Sequence, residues 1–179
     1  MKKKICIIGH ARHGKDTLAE MINQRYGYKS ESSSQAASRL FLYDALKDKY
    51  GYKTPEECFE DRVNHRAEWF DMICEYNKNY PGQLAADIMK SNDIYTGMRS
   101  NRELVACIDD GIFDLVIGVF DPMKPLEPRD SFHRFTVKAN EYYQSYFVEP
   151  PTNDGKCEMY WGENAQFIWD TLKDICNGK

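Results

Sequence analysis

The chain has 179 residues, a formal net charge of -4 at pH 7 and 42% hydrophobic residues. This length suits one well-buried core and is too short for two comfortable domains, so we expect a single domain over residues 1–179. The negative charge argues against a surface built mainly to neutralise a nucleic-acid backbone. With no long apolar run and only four apolar residues after the basic start, we expect a cytoplasmic protein without a membrane partner.

A phosphate-binding loop is predicted near the N-terminus. The motif G-x-x-x-x-G-K-D-T follows a predicted strand over Lys3–Ile8 and precedes a predicted helix over Lys15–Tyr26. Its two glycines let the backbone curl so that N–H groups face phosphate oxygens, while the lysine adds a mobile positive charge. The alternative is a glycine-rich turn that happens to end in lysine. The expected ATP-binding residues are Gly9, His10, Ala11, Arg12, His13, Gly14, Lys15, Asp16 and Thr17.

The motif has an acid where a hydroxyl is usual. Asp16 follows the lysine, a position at which Ser or Thr normally ligates Mg²⁺. A carboxylate is also a hard oxygen ligand, so we expect Asp16 to contact the ion, with Thr17 as a second candidate ligand. The alternative is an acid that only complements the helix dipole.

The rest of the chain alternates predicted helices and strands, which indicates an α/β fold with an open parallel sheet and helices on both faces. The segment from Asp121 to Phe135 contains three prolines and is predicted to be a mobile surface loop. The other predicted elements are a short strand at Gly27–Lys29, a serine-rich cap and loop at 30–34, helices at Thr54–Tyr76, Gln83–Lys90, Asn101–Asp110 and Asn164–Cys176, and strands at Ile94–Met98, Leu115–Phe120 and Tyr143–Val148.

The helix predicted from Thr54 carries charges that bear on the phosphate acceptor. Arg62 and Arg66 are four residues apart and share a face, and Asp61 and His65 form the adjacent row. A monophosphate acceptor needs arginines and no general base, whereas a neutral hydroxymethyl acceptor benefits from a carboxylate that takes its proton. Asp61 is therefore a candidate base, and the arginines are candidate anchors for a phosphate or a DNA backbone. Surface ion pairing is the alternative.

Further candidates are aromatic and basic side chains. Trp69, together with Tyr43 and Tyr95, is a candidate to stack on a base, with burial in the core as the alternative.

Arginines for the transferring phosphoryl group are expected in two places. They are Arg12 in the loop, and Arg129 and Arg134 in a lid-like loop at about 121–135. The alternative for the last two is that they are solvated loop charges.

Three segments together resemble bacteriophage deoxynucleoside monophosphate kinases. They are the G-K-D-T loop, the stretch from Tyr95 to Glu103, and the stretch from Phe120 to Phe132. The resemblance implies a three-layer P-loop NTPase fold with a five-stranded parallel sheet in the order 2-3-1-4-5, flanked by helices. It also implies transfer of the γ-phosphoryl group of ATP, with Mg²⁺, to a deoxynucleoside monophosphate. We expect the acceptor to bind in a helical region at about 32–90.

One departure from these relatives concerns the metal. Where they usually have an aspartate after the third strand, this chain has Gly97, while Arg99 and Glu103 remain. Asp16 would compensate for the missing acid. Arg99 is a candidate phosphate or substrate contact, and an ion pair with Glu103 is the alternative.

The resemblance extends to phage kinases that phosphorylate the hydroxymethyl group of 5-hydroxymethyluracil in DNA, in thymine hypermodification. The leading hypothesis is a kinase of a free deoxynucleoside monophosphate in phage nucleotide metabolism, and the DNA kinase is its alternative. A non-catalytic nucleotide-binding switch is a second alternative, although the chain has no recognisable switch segments. The sequence leaves the oligomeric state open.

Overall fold

A computed structural model describes residues 2–119, the backbone of 145–148, and residues 173–174. Its strands form one sheet in the order β2-β3-β1-β4-β5, and every adjacent pair is parallel. The predicted α/β class with a parallel sheet is therefore confirmed. The strands are β1 (Ile5–Gly9), β2 (Ser30–Ser32), β3 (Ile94–Thr96), β4 (Leu115–Val119) and β5 (Ser145–Val148).

Helices cover both faces of the sheet. Alternate residues of β1 point to opposite sides, so Ile7 packs in a cluster with Leu18 and Ile22, whereas Ile8 packs in a cluster with Leu84. Because parallel strands end at the same edge, the residues that follow β1 and β3 lie near one another and near the last residue of β4. The helices are α1 (Lys15–Tyr26), α2 (Ser33–Ala37), α3 (Tyr43–Tyr50), α4 (Pro55–Asp61), α5 (Arg66–Tyr76), α6 (Gln83–Met89) and α7 (Asn101–Asp109), with a π-helical turn at Ser38–Leu42 between α2 and α3.

Some predicted features lie outside the described residues. They include the lid-like loop at 121–135 with Arg129 and Arg134. Only residues 173–174 of the predicted closing helix are described, and both are helical. None of the described helices has the length and apolar character needed to cross a bilayer.

The second strand lies later in the chain than predicted. Gly27, expected to begin it, ends α1 with a φ of 69° and donates its N–H to the oxygen of Asn23 at 2.7 Å. Tyr28 is buried, and the strand forms over Ser30–Ser32. A short, polar edge strand carries no apolar pattern, so periodicity did not reveal it.

The single helix predicted over Thr54–Tyr76 is also wrong, because the chain turns between Asp61 and Arg66. The side-chain amide of Asn64 donates to Asp61 Oδ1 at 2.6 Å, and its backbone N–H donates to the Asp61 carbonyl at 3.0 Å. Asn and Asp side chains compete in this way with helical hydrogen bonding. Arg62 and Arg66 therefore do not share one helix face.

Glu103 is an acid buried between the sheet and α7. The Tyr95 hydroxyl donates to Glu103 Oε1 at 3.0 Å, and burial raises the pKa of Glu103 from 4.5 to about 7. The pKa of Glu103 is higher in the folded state than in the unfolded state. Between pH 4.5 and about 7, the native protein therefore binds more protons than the unfolded chain. The contribution of Glu103 to stability is therefore fully present below pH 4.5 and is lost as the pH rises through about 7.

We expect Glu103→Gln to remove this pH dependence. Between about pH 4 and pH 8, the difference in unfolding free energy between the wild type and the variant should change by about 3 kcal/mol. Urea unfolding followed by tryptophan fluorescence measures it, with the exposed Glu75→Gln as the control. Parallel stability curves for the wild type and Glu103→Gln would contradict the assignment.

Candidate functional site

The predicted loop lies between the end of β1 and the start of α1, and its backbone needs glycine at two points. Gly9 has a φ of +152°, and a Cβ there would lie 2.3 Å from the carbonyl oxygen of Val119. Gly14 has a φ of 93°. Arg12 adopts a φ of 66° although it carries a side chain, a strained conformation of the kind that is found at ligand-binding loops.

The N-terminal end of α1 has no side-chain cap. Its residue before the first turn is Gly14, and the helical ladder begins with the N–H of Leu18 donating to the Gly14 oxygen at 2.9 Å. Ser32, Thr54 and Ser100 accept hydrogen bonds from the first turns of α2, α4 and α7, whereas α5 and α6 resemble α1 in having no side-chain cap. The first N–H groups of a helix point out of its end, where the dipole is positive, so this uncapped end is suited to an anion such as phosphate.

Lys15 lies across the loop. Its Nζ donates to the carbonyl oxygen of His10 at 2.6 Å. The imidazoles of His10 and His13 are buried, with ring centroids 5.0 Å apart. The two side chains therefore fill space inside the protein, and the backbone N–H of His13 donates to the His10 carbonyl oxygen at 3.4 Å.

A contact that the sequence did not predict joins the loop to β3. The hydroxyl of Thr96, the last residue of β3, donates to Asp16 Oδ1 at 2.9 Å. Thr96 is 2% exposed, whereas Asp16 and Thr17 are exposed in the first turn of α1. The carboxylate of Asp16 and the hydroxyl of Thr17 are oxygen ligands that fit Mg²⁺, which prefers carboxylate and phosphate oxygens. The sequence feature that could have indicated this contact is Thr96 itself, a hydroxyl residue at the carboxyl end of a predicted strand that lies beside the loop.

Asp61 is held by several partners at the turn between α4 and α5. Its Oδ2 accepts from the Tyr52 hydroxyl at 2.5 Å and lies 3.0 Å from His65 Nε2, and Asn64 donates to its Oδ1. The hydrogen bond from Tyr52, followed by that from Asn64, holds the pKa of Asp61 below its ordinary value. The carboxylate is ionised at neutral pH, and it fixes this turn.

The predicted substrate arginines lie in different surroundings. Arg62 Nη1 donates to the carbonyl oxygen of Phe59 at 2.7 Å, and its guanidinium lies 3.8 Å from the centroid of that ring, so this side chain closes the end of α4. Arg66 is exposed at the first position of α5. Arg99 is exposed in the segment between β3 and α7, at the loop edge of the sheet. Glu103, the alternative partner of Arg99, is buried and accepts a hydrogen bond from the Tyr95 hydroxyl.

Two of the three aromatic candidates are buried, and Tyr43 is half-buried. Trp69 is 4% exposed and Tyr95 is 1% exposed, and both belong to the core. Helix α5 turns the indole of Trp69 into the core, as in the alternative of core burial, and a substrate contact of Trp69 stays a prediction. Tyr43 donates its hydroxyl to the carbonyl oxygen of Lys53 at 2.8 Å.

Comparisons with known proteins add little to this geometry. Neither a scan with protein-family models nor a search of curated proteins gives a match. Among solved structures, a gluconokinase from Sinorhizobium meliloti 1021 is similar with a TM-score of 0.43 and 10% sequence identity, over 98% of this chain and 92% of that chain. A similarity at this level assigns no activity, so function has to be argued from the residues themselves.

Proposed function

We propose that the chain is an ATP-dependent phosphotransferase of the P-loop kinase type. The observation that carries the proposal is the uncapped N-terminal end of α1 behind a loop that places Lys15 across its opening. Backbone N–H groups and an ammonium in this arrangement suit the β- and γ-phosphates of a nucleoside triphosphate. Phosphoryl transfer needs mainly positioning and charge stabilisation, which Lys15 and Arg12 are placed to provide.

Magnesium fits the oxygen donors beside the loop. Asp16 and Thr17 are the residues that would hold it, together with phosphate oxygens of the nucleotide. When bound, the ion neutralises charge on the β- and γ-phosphates. The first turn of α1 holds the carboxylate of Asp16 and the hydroxyl of Thr17 beside the loop.

The acceptor that we propose is a deoxynucleoside monophosphate. Its phosphate oxygen is already an anion, so it attacks the γ-phosphorus directly while ADP leaves, and no protein base is needed. Arg99 lies at the loop edge of the sheet, and Arg66 is exposed on the helical segment between β2 and β3. Both support binding of an anionic acceptor. The net charge of -4 also favours a small molecule over a duplex.

Asp61 supports one alternative acceptor, the hydroxymethyl group of 5-hydroxymethyluracil in DNA. This carboxylate is ionised at neutral pH and held in place by Tyr52 and Asn64. A neutral alcohol must lose its proton as it attacks phosphorus, and a fixed carboxylate is suited to accept it. The base would first have to leave the DNA stack.

A substrate panel tests the proposal. The protein is incubated with γ-labelled ATP, Mg²⁺ and, separately, each deoxynucleoside monophosphate or DNA that contains 5-hydroxymethyluracil. We expect label in one or more free nucleotides. Label in the polymer alone would favour the DNA kinase. Binding of ATP without transfer to any acceptor would favour the nucleotide-binding switch.

Asp61→Asn separates the two acceptors. With a monophosphate acceptor, kcat should stay within about threefold of the wild type, because the attacking oxygen carries no proton to remove. With a hydroxymethyl acceptor, kcat should fall by about 10²-fold. Asp44→Asn, on the exposed surface of α3, is the matched control. A large loss of kcat with a free nucleotide would contradict our assignment.

A further inference from the structure

Asp16 and Thr96 occupy reversed positions relative to the acid and the hydroxyl that usually lie beside a P-loop. In P-loop NTPases, Mg²⁺ is generally held by a loop Ser or Thr and by an aspartate outside the loop. Here the loop carries Asp16, and the neighbouring strand β3 ends with Thr96, whose hydroxyl lies 2.9 Å from Asp16 Oδ1. The two residues are 80 positions apart in the sequence, so the fold alone brings them together.

The backbone after β3 explains why an acid is absent there. Gly97 has a φ of +100°, and a Cβ at this position would lie 2.5 Å from Ser33 Oγ. The same Ser33 hydroxyl donates to the Gly97 carbonyl oxygen at 3.3 Å. Any side chain at Gly97 would therefore be strained by the positive φ and would push the Ser33 hydroxyl aside. The neighbouring residue that reaches the loop is Thr96.

The Thr96 hydroxyl contacts the Asp16 carboxylate and is positioned to orient it. It is 2% exposed, so its hydroxyl is held among packed neighbours, while Asp16 is exposed at the start of α1. A buried donor that contacts Oδ1 restricts the rotation of the carboxylate and leaves Oδ2 for another partner. Hydrogen bonds of this kind from outside the ligand shell commonly tune the affinity of a metal site.

We propose that the acid and the hydroxyl have exchanged places in this protein, so that Asp16 is the carboxylate for Mg²⁺ and Thr96 is its positioning residue. This inference rests on the proposed function, since the ion arrives with a nucleotide. It adds a residue that the loop motif does not contain. It also assigns Gly97 a structural role, because the left-handed backbone after β3 favours a glycine.

Thr96→Val tests the positioning role, because it keeps the shape of the side chain and removes the hydroxyl. Mn²⁺ binding to the complex with a non-hydrolysable ATP analogue is measured by electron paramagnetic resonance. We expect the Mn²⁺ affinity to fall about 10-fold. Affinity for the analogue without metal should stay within about twofold. Thr96→Ser, which retains the hydroxyl, should match the wild type. Unchanged Mn²⁺ affinity in Thr96→Val, or equal loss in Thr96→Ser, would overturn the proposal.

A reciprocal exchange provides a second test. Asp16→Thr alone should weaken Mn²⁺ binding at least as much as Thr96→Val. Adding Thr96→Asp restores one acid and one hydroxyl in the usual order, and it should recover part of the lost affinity. No recovery in a folded double variant would contradict the exchange. Failure of the wild type to bind the analogue at all would instead refute the proposed function, so the two failures are distinguishable.

Discussion

Lys15→Met is expected to reduce phosphoryl transfer from ATP by about 10²- to 10³-fold. The substitution keeps most of the side-chain length and removes the positive charge of Lys15, which lies across the loop. In the structure, Lys15 Nζ contacts the His10 carbonyl oxygen at 2.6 Å, and one such hydrogen bond contributes only about 1 kcal/mol to stability. The loss should therefore appear in the rate of ADP formation and in the affinity for an ATP analogue, while the melting temperature changes little.

Lys78→Met is the matched control for this experiment. Lys78 is exposed and pairs with Glu75 on the surface at 3.0 Å, far along the chain from the loop. The control should transfer phosphate at the wild-type rate. If Lys15→Met kept a rate within about threefold of the wild type, the electrostatic role of the loop would be refuted.

Gly9→Ala is expected to lower the free energy of unfolding by about 3 kcal/mol, the upper range for a strained and overpacked site. The added methyl group would meet the Val119 carbonyl oxygen at 2.3 Å. Gly9 and Val119 are partners in the β1–β4 register, so relief of the clash requires separating two central strands. The loop begins at this point, and nucleotide binding should weaken together with stability.

Gly51→Ala separates backbone strain from the clash. Gly51 also has a positive φ, of +76°, but a Cβ there would have nothing within 4 Å. This substitution should cost only about 1 kcal/mol. Chemical denaturation of both variants gives the comparison. Equal losses would show that the close approach of Val119 to Gly9 has no energetic effect.

The features that could be predicted from the sequence are local. The strand, loop and helix from Ile5 to Tyr26 are specified by adjacent residues, and so are the helices at Gln83–Met89 and Asn101–Asp109. The predicted α/β class follows from such elements in alternation. The candidate loop residues are therefore predictable without knowledge of any tertiary contact.

Features that depend on distant contacts were missed. The bond between Thr96 and Asp16 spans 80 positions, and no local pattern encodes it. The Trp69 side chain points inward because of how α5 packs against the rest of the protein. The spacing of apolar residues along α5 does not determine this packing. The turn after Asp61 was missed because a side-chain hydrogen bond from Asn64 outweighs the helix-favouring residues around it.

We propose that the loop between β1 and α1 binds the phosphates of ATP, and a crystal structure of the protein with a non-hydrolysable ATP analogue and Mg²⁺ is the sharpest test of this binding mode. We expect the N–H groups at the start of α1 to donate to the β- and γ-phosphate oxygens, with Lys15 Nζ moved from the His10 oxygen onto a phosphate. An analogue bound elsewhere, with Lys15 still on His10, would contradict it.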